Sequence, residues 1–373
     1  MKLFTAHLVD FRNLSARLEF SPGVNIFVGR NGQGKSNVLE AMHVAALGAS
    51  FRPGRLGDLV RFERPAARVE LGIEEAGIVT PVVVTVSLAG QRQMSVGGRE
   101  NASLEDVAQH LRVVFFGPED LHLVKGSPSG RRAFLDQAIA GHHPPYGDRL
   151  RGYGKLLRER GQLLKELAYG SPPPTEILES YEEQLARHAA QILSQRVKFL
   201  REYSPLARQL VLDHTDSRLE LEITYQSSFL PIVEEGLVEA ADIYPRFRRQ
   251  LAETRAADAP AGRTSIGPQV DDLELKLGGR LARFFASQGE QRQLAVSLKI
   301  AQLALWKERF GVHPVLLLDD VLSELDPVRA RLLFSRVSQW DVQTLLTTTS
   351  REDVVLEGDC RFFDVEGGEV KWE

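Results

Sequence analysis

Three glycines, a lysine and a serine crowd into residues 29–36, Gly29-Arg30-Asn31-Gly32-Gln33-Gly34-Lys35-Ser36, with the spacing G-x-x-x-x-G-K-[ST]. Glycines let a backbone curl until its N–H groups face one phosphate, and a helix starting behind the loop adds positive potential. In such a loop Lys35 reaches the β- and γ-phosphates and the Ser36 hydroxyl ligates Mg²⁺. The stretch predicts a nucleoside triphosphate site, with all eight residues as its binding set and ATP with Mg²⁺ as cofactors. A glycine turn kept for packing alone is the bland alternative, and the strand–loop–helix context counts against it.

A second chemistry-bearing cluster lies near the far end. Val315-Leu316-Leu317-Leu318 reads as a buried strand, and it ends in Asp319-Asp320. This arrangement places a carboxylate at a strand's C-terminal edge beside Mg²⁺. Asp319 is the expected metal residue, acting through water, and Asp320 the expected polariser of the attacking water. Taken alone, the same run could be a core strand followed by two solvated acids. Ala286-Ser287-Gln288-Gly289-Glu290 precedes it at the head of a helical pattern, Leu294, Leu298, Ala301, Leu305. Ser323-Glu324-Leu325-Asp326 follows, and Thr344-Leu345-Leu346 then reads as another strand, ending in Thr347-Thr348-Thr349.

The elements that must carry these residues are visible in outline. Val24 to Val28 is a strand entered through the turn Ser21-Pro22-Gly23, and Val38, Leu39, Met42 and Leu47 fall at helical spacing behind the loop. Alternating runs around Val69–Ile73 and Val82–Leu88 predict β-rich structure in the first third. Leu156 to Leu167 and Ile177 to Phe199 carry long helical periodicity and predict antiparallel helices. Glu253 to Arg263, rich in Ala, Asp and Gly, is expected to be a mobile exit from that helical part.

Composition sets the class. The chain has 373 residues, 43% hydrophobic and 26% charged, which excludes global disorder and predicts two or three domains. The N-terminus lacks signal-peptide architecture and no apolar run has the length of a membrane span, so no membrane partner is expected. A single cysteine, Cys360, suits a reducing cytosol. The net charge of −4 means that any nucleic-acid contact must use local basic patches.

The order phosphate loop, Ser-x-Gly-Glu helix start, carboxylate strand, Asp-containing loop and polar strand end resembles the ABC-type ATPase heads. About 250 residues separate Ser36 from Ser287, too many for a transporter ATPase and too few for a long coiled-coil SMC protein. Further blocks resemble the RecF family: Asp10-Phe11-Arg12-Asn13; Pro118-Glu119-Asp120; Gly126-Ser127-Pro128 with Arg131-Arg132-Ala133-Phe134-Leu135-Asp136; Gly267-Pro268-Gln269-Val270-Asp271-Asp272-Leu273; and Leu317-Leu318-Asp319-Asp320-Val321-Leu322-Ser323-Glu324-Leu325-Asp326.

The resemblance implies an α/β fold: an ABC/SMC-type ATPase head, a P-loop NTPase with an antiparallel β subdomain, carrying an inserted, mainly α-helical second domain. The expected limits are 1–115 and 264–373 for the head and 116–263 for the insert. It implies an ATP-dependent homodimer in which Ser287 and Gly289 reach a triphosphate held by the other subunit, with Arg12, Asn13 and Asp326 joining the nucleotide set. Further implied are binding of double-stranded and gapped or single-stranded DNA and partnership with RecR, RecO and RecA. Roles in replication, repair and SOS induction follow, in the bacterial cytoplasm at the nucleoid.

Three departures from the wider superfamily matter. Asp320 stands where Glu is usual, shorter by one carbon–carbon bond, about 1.5 Å, which predicts slow turnover. The switch-histidine position holds Thr348. Near Gly117, Glu119 stands in for a metal-sensing glutamine. The insert is arginine-rich, and Arg131, Arg132, Arg149, Arg151, Arg158 and Arg160 are the candidate DNA contacts. Each taken singly is more readily a solvated helix face paired with a nearby glutamate than a phosphate contact. An ABC transporter nucleotide-binding subunit and a P-loop kinase or metabolic ATPase remain as alternatives.

Overall fold

The computed structural model describes residues 1–170, 174–214, 219–229, 236, 238–325, 327–354 and 360–372. Two compact units result, residues 1–121 with 295–373, and residues 122–294. The insert therefore begins six residues later than expected and runs on to 294, taking in Ser287.

Among the described residues the first unit holds two six-stranded sheets. One is antiparallel, ordered Leu14–Glu19, Lys2–Phe11, Ala66–Glu75, Ile78–Ser87, Arg92–Val96, Arg99–Glu100. Its strands alternate, with Val69, Leu71 and Ile73 turned into the core and Arg68 and Glu70 left outside or half-covered, the pattern of a sheet with one covered face. The other sheet is ordered Glu369–Trp372, Cys360–Glu366, Val24–Val28, Thr344–Thr348, Val315–Leu318, Val113–Phe116, parallel through its last five strands. Val24–Val28, Val315–Leu318 and Thr344–Thr348 are buried at every position, as strands covered on both faces must be.

The helix Lys35–Leu47 contacts both sheets. Val38, Leu39, Ala41, Met42, Val44 and Ala45 are fully buried on it, so it has no solvated stripe and takes its stability from packing. Clamping it between two sheets fixes where its first turn points.

The second unit is built on the helices Pro128–His142, Pro145–Tyr169, Thr175–His214 and Ala240–Asp258 with a small sheet, Arg280–Leu281, Asp272–Leu277, Leu221–Gln226. The two expected long helices are both there. The expected mobile exit is not: residues 253–258 continue a helix, Asp258 is buried, and Ala259 is buried behind it. An ion pair from Asp258 to Arg160, at 3.0 Å, holds that segment down.

The candidate nucleotide site

Strand Val24–Val28 delivers the chain into the loop, and Gly34 at φ 115° lets it turn directly into the helix at Lys35. That φ lies in the region only glycine adopts without strain. A Cβ on Gly34 would also stand 2.9 Å from Asn13 Oδ1. Asn13 itself braces the loop, donating from Nδ2 to Gln33 O at 3.2 Å and accepting from Asn37 Nδ2 at 2.7 Å. Gln33 in turn accepts from the Gly367 N–H at 2.6 Å.

The loop opens on a polar cavity of about 290 Å³ lined by Asn31, Gly32, Gly34, Lys35, Ser36, Asn37, Arg52, Asp320 and Thr347. Lys35 folds back, its Nζ donating to Gly29 O at 2.6 Å and Arg30 O at 3.0 Å. Burial pushes the ammonium below the usual lysine range, while Asp320 and Asp319 pull it back up. Two neutral carbonyls are weak competitors for an ammonium compared with phosphate oxygens. The cradle therefore fits a triphosphate. Mg²⁺ is usually held by one or two carboxylates, waters and substrate phosphates rather than by an all-protein cage. Ser36 with the aspartate pair fits that donor set.

The aspartates arrive from the neighbouring strand. Asp319 is buried, its N–H donates to Phe116 O at 2.9 Å, and its Oδ1 accepts from Thr347 Oγ1 at 2.9 Å. Asp320 has φ 50°, an uncommon conformation for a non-glycine residue, and its N–H donates to the same Thr347 Oγ1 at 2.8 Å.

Several expected site residues sit elsewhere. Arg12 makes a two-pronged ion pair with Glu40, at 2.5 and 2.7 Å, and is not among the residues lining the cavity. Glu40 is wholly buried and also accepts from Ser50 Oγ at 2.5 Å and Arg52 Nη1 at 3.2 Å. Arg12 thus steadies the first helix by satisfying a buried charge. Gly29, Arg30 and Gln33 shape the loop from outside the lining set. Thr348 is a correction: it is buried, its hydroxyl donates to Ser350 O at 3.2 Å, and Thr347, one residue earlier on the alternating strand, faces the cavity instead. Glu119 is exposed and absent from the lining. Asp120 beside it bonds the Gly117 N–H and pairs with Lys299 at 2.8 Å. Asp326 lies outside the described residues.

Three lining residues, Asn37, Arg52 and Thr347, escaped sequence reasoning. Arg52 donates to Asn37 Oδ1 at 2.7 Å and carries no spacing that would announce it. Strand alternation was the available signal for Thr347.

In the second unit Ser287 is exposed and caps the helix Gln288–Phe310. Its N–H and Oγ both donate to Glu290 Oε2 at 2.7 Å, and Oγ accepts from the Glu290 N–H at 3.3 Å, a reciprocal capping box. These bonds hold the Glu290 carboxyl below the usual range. Gly289 follows in the first turn.

The candidate DNA arginines divide. Arg160 is fully buried, bonded to Glu182 at 2.9 Å and Asp258 at 3.0 Å, and Arg131 is buried against Asp272 at 2.8 Å. Both are withdrawn from phosphate contact, because moving them would leave carboxylates uncompensated. Arg132 is half-buried and donates to Asp271 O at 2.8 Å. Arg151 and Arg158 are exposed and Arg149 half-buried; Arg151 pairs with Asp148.

Residues 2–365 match the family model described as the RecF/RecN/SMC N terminal domain. The chain is 38% identical over 354 residues to the DNA replication and repair protein RecF of Heliobacterium modesticaldum, covering 94% of this chain and 92% of that protein. It is also 38% identical over 376 residues to the protein of the same name from Myxococcus xanthus, covering 99% and 97%. A solved structure of the recombination mediator protein RecF-ATP in the RecFOR pathway matches with a TM-score of 0.85 at 32% identity, over 100% of this chain and 97% of that one. The likeness bears out the expected ABC/SMC-type ATPase head. Running almost end to end in both sequence and fold, it leads to one conclusion: the chain belongs to the RecF family of DNA replication and repair proteins.

Proposed function

We propose that this chain is an ATP-switched DNA-repair mediator whose two copies close on ATP and hold DNA while closed. The phosphate-loop cavity, with Lys35, Ser36 and Asp320 converging on it, carries the reading. In it Lys35 would leave its carbonyl partners for the β- and γ-phosphates, and Ser36 and Asp319 are the residues that would hold Mg²⁺. Mg²⁺, when bound, supplies charge neutralisation on the phosphate oxygens. Asp320 polarises the attacking water. With its carboxylate about 1.5 Å short of where a glutamate would stand, turnover is slow, since a misplacement of about 1 Å already costs on the order of 100-fold. Hydrolysis resets a switch rather than driving a motor.

Ser287 and Gly289, at an exposed and self-capped helix start, complete the site of the other copy, because a helix N-terminus is suited to the γ-phosphate. The exposed arginines of the insert, Arg151 and Arg158 with Arg149 beside them, contact DNA phosphates. The protein acts with RecR and RecO at gapped DNA to favour RecA loading, in repair, replication and SOS induction, in the cytoplasm. A transporter subunit is not favoured, since near-full-length relatives carry the DNA replication and repair name.

Binding of a fluorescent gapped duplex, titrated at fixed salt with ATP–Mg²⁺, ADP or no nucleotide, tests the reading. Tighter binding with ATP and a steep loss with added salt are expected. Equal affinity in all three states contradicts it.

A further inference from the structure

One hydroxyl in the nucleotide site has a geometry that no catalytic motif accounts for. Thr347 is fully buried at the end of strand Thr344–Thr348, which pairs in parallel with Val315–Leu318 up to Leu318↔Leu346. It is thus level with the first residue after the neighbouring strand, Asp319. Its Oγ1 lies 2.8 Å from the Asp320 amide nitrogen and 2.9 Å from Asp319 Oδ1. The direction of both bonds is fixed by elementary chemistry. An amide N–H can only donate, so the hydroxyl accepts it, and its own proton is left for the carboxylate.

We propose that Thr347 is the positioning residue of this site, a single hydroxyl that sets both acidic side chains for the metal-dependent reaction. It rests on the reading of the cavity as an ATP–Mg²⁺ site. By engaging Oδ1 of Asp319, the hydroxyl fixes the plane of that carboxylate and leaves Oδ2 for the metal's hydration shell. By accepting the Asp320 N–H, it helps hold that residue at φ 50°, an uncommon conformation for a residue other than glycine. That backbone turn brings the Asp320 side chain into the cavity lining. Thr347 also lines the cavity. The β-branched methyl suits the strand and locks χ1, so the hydroxyl has little freedom to point elsewhere.

Thr347→Val keeps the shape and removes the hydroxyl, and Thr347→Ser keeps the hydroxyl and removes the methyl. Two readouts are measured: binding of a fluorescent ATP analogue as Mg²⁺ is titrated, and steady-state ATP turnover. For Thr347→Val the Mg²⁺ midpoint rises several-fold, binding in EDTA stays within about 2-fold of the unmutated protein, and kcat falls about 10- to 100-fold with a smaller change in KM. Thr347→Ser restores both to within a few-fold. Unchanged Mg²⁺ dependence and turnover in folded Thr347→Val, or a Ser variant as impaired as the Val variant, overturns the proposal. If Thr347→Val does not fold, Thr347→Cys, a poor hydrogen-bond partner of similar size, carries the same expectation and the same refutation. Absence of analogue binding by the unmutated protein at saturating Mg²⁺ would instead point to failure of the underlying ATP reading.

Discussion

The phosphate-loop lysine of the head and the buried arginines of the insert are held in opposite ways. Lys35 is bonded to two carbonyl oxygens of its own loop, neutral partners that a phosphate readily displaces. Arg160, Arg131 and Arg196 are buried against carboxylates, Arg196 meeting Asp136 at 2.9 Å and donating to Tyr225 Oη at 2.9 Å. A guanidinium so satisfied cannot leave without stranding its carboxylate partners, which for Arg160 are themselves buried. The loop lysine is held by partners a ligand can displace, whereas Arg160, Arg131 and Arg196 in the insert are spent on architecture, as Arg12 is in the head against Glu40. An arginine-rich stretch is therefore a poor measure of a DNA-binding face until burial is known.

The sharpest way to break this contrast is at the loop. Lys35→Ala should weaken ATP binding about 100-fold, as loss of a charge-assisted phosphate contact implies. Unchanged affinity by calorimetry would mean that the loop does not hold phosphates. Asp320→Asn should leave ATP binding intact and lower turnover about 100-fold or more, the usual yield of a positioned base. Turnover at the unmutated rate removes Asp320 from the reaction.

In the insert, Arg160→Ala should cost about 3–5 kcal/mol of stability by leaving Glu182 and Asp258 uncompensated. Exposed Arg158→Ala should stay within about 0.5 kcal/mol while lowering the salt slope of DNA binding by about 1. Chemical denaturation and salt titration read the two. The reverse pattern would erase the distinction between structural and phosphate-facing arginines.

A different effect, separate from the cation contrast, concerns pH. His43, buried on the first helix, is held down to about 4 from 6.5 by desolvation. The unfolded chain takes up that proton first, so stability is lost as pH falls from 6.5 towards 4, at up to about 1.4 kcal/mol per pH unit. His43→Gln should flatten the slope between pH 6.5 and 5, and an identical slope would show that the imidazole does not contribute.

The head was legible because its chemistry is local. Eight consecutive residues specify the phosphate loop, and the strands Val24–Val28 and Val315–Leu318 have the bounds their apolar runs predict. Thr347 was missed by one position on a strand whose alternation decides which hydroxyl faces the acids. The insert resisted for a different reason. Arg160 finds partners 22, 98 and 104 positions away, so no window of sequence shows that it is paired. Residues 253–263, loop-like in composition, are pinned by that same network through Asp258.

Sedimentation velocity of the full chain with ATP–Mg²⁺, with ADP and without nucleotide, each with and without gapped DNA, addresses most directly whether two copies complete one another's sites. A dimer with ATP, a monomer without it, and loss of the dimer in Ser287→Arg with ATP still bound are the predicted results. A monomer at saturating ATP, even with DNA present, contradicts the account.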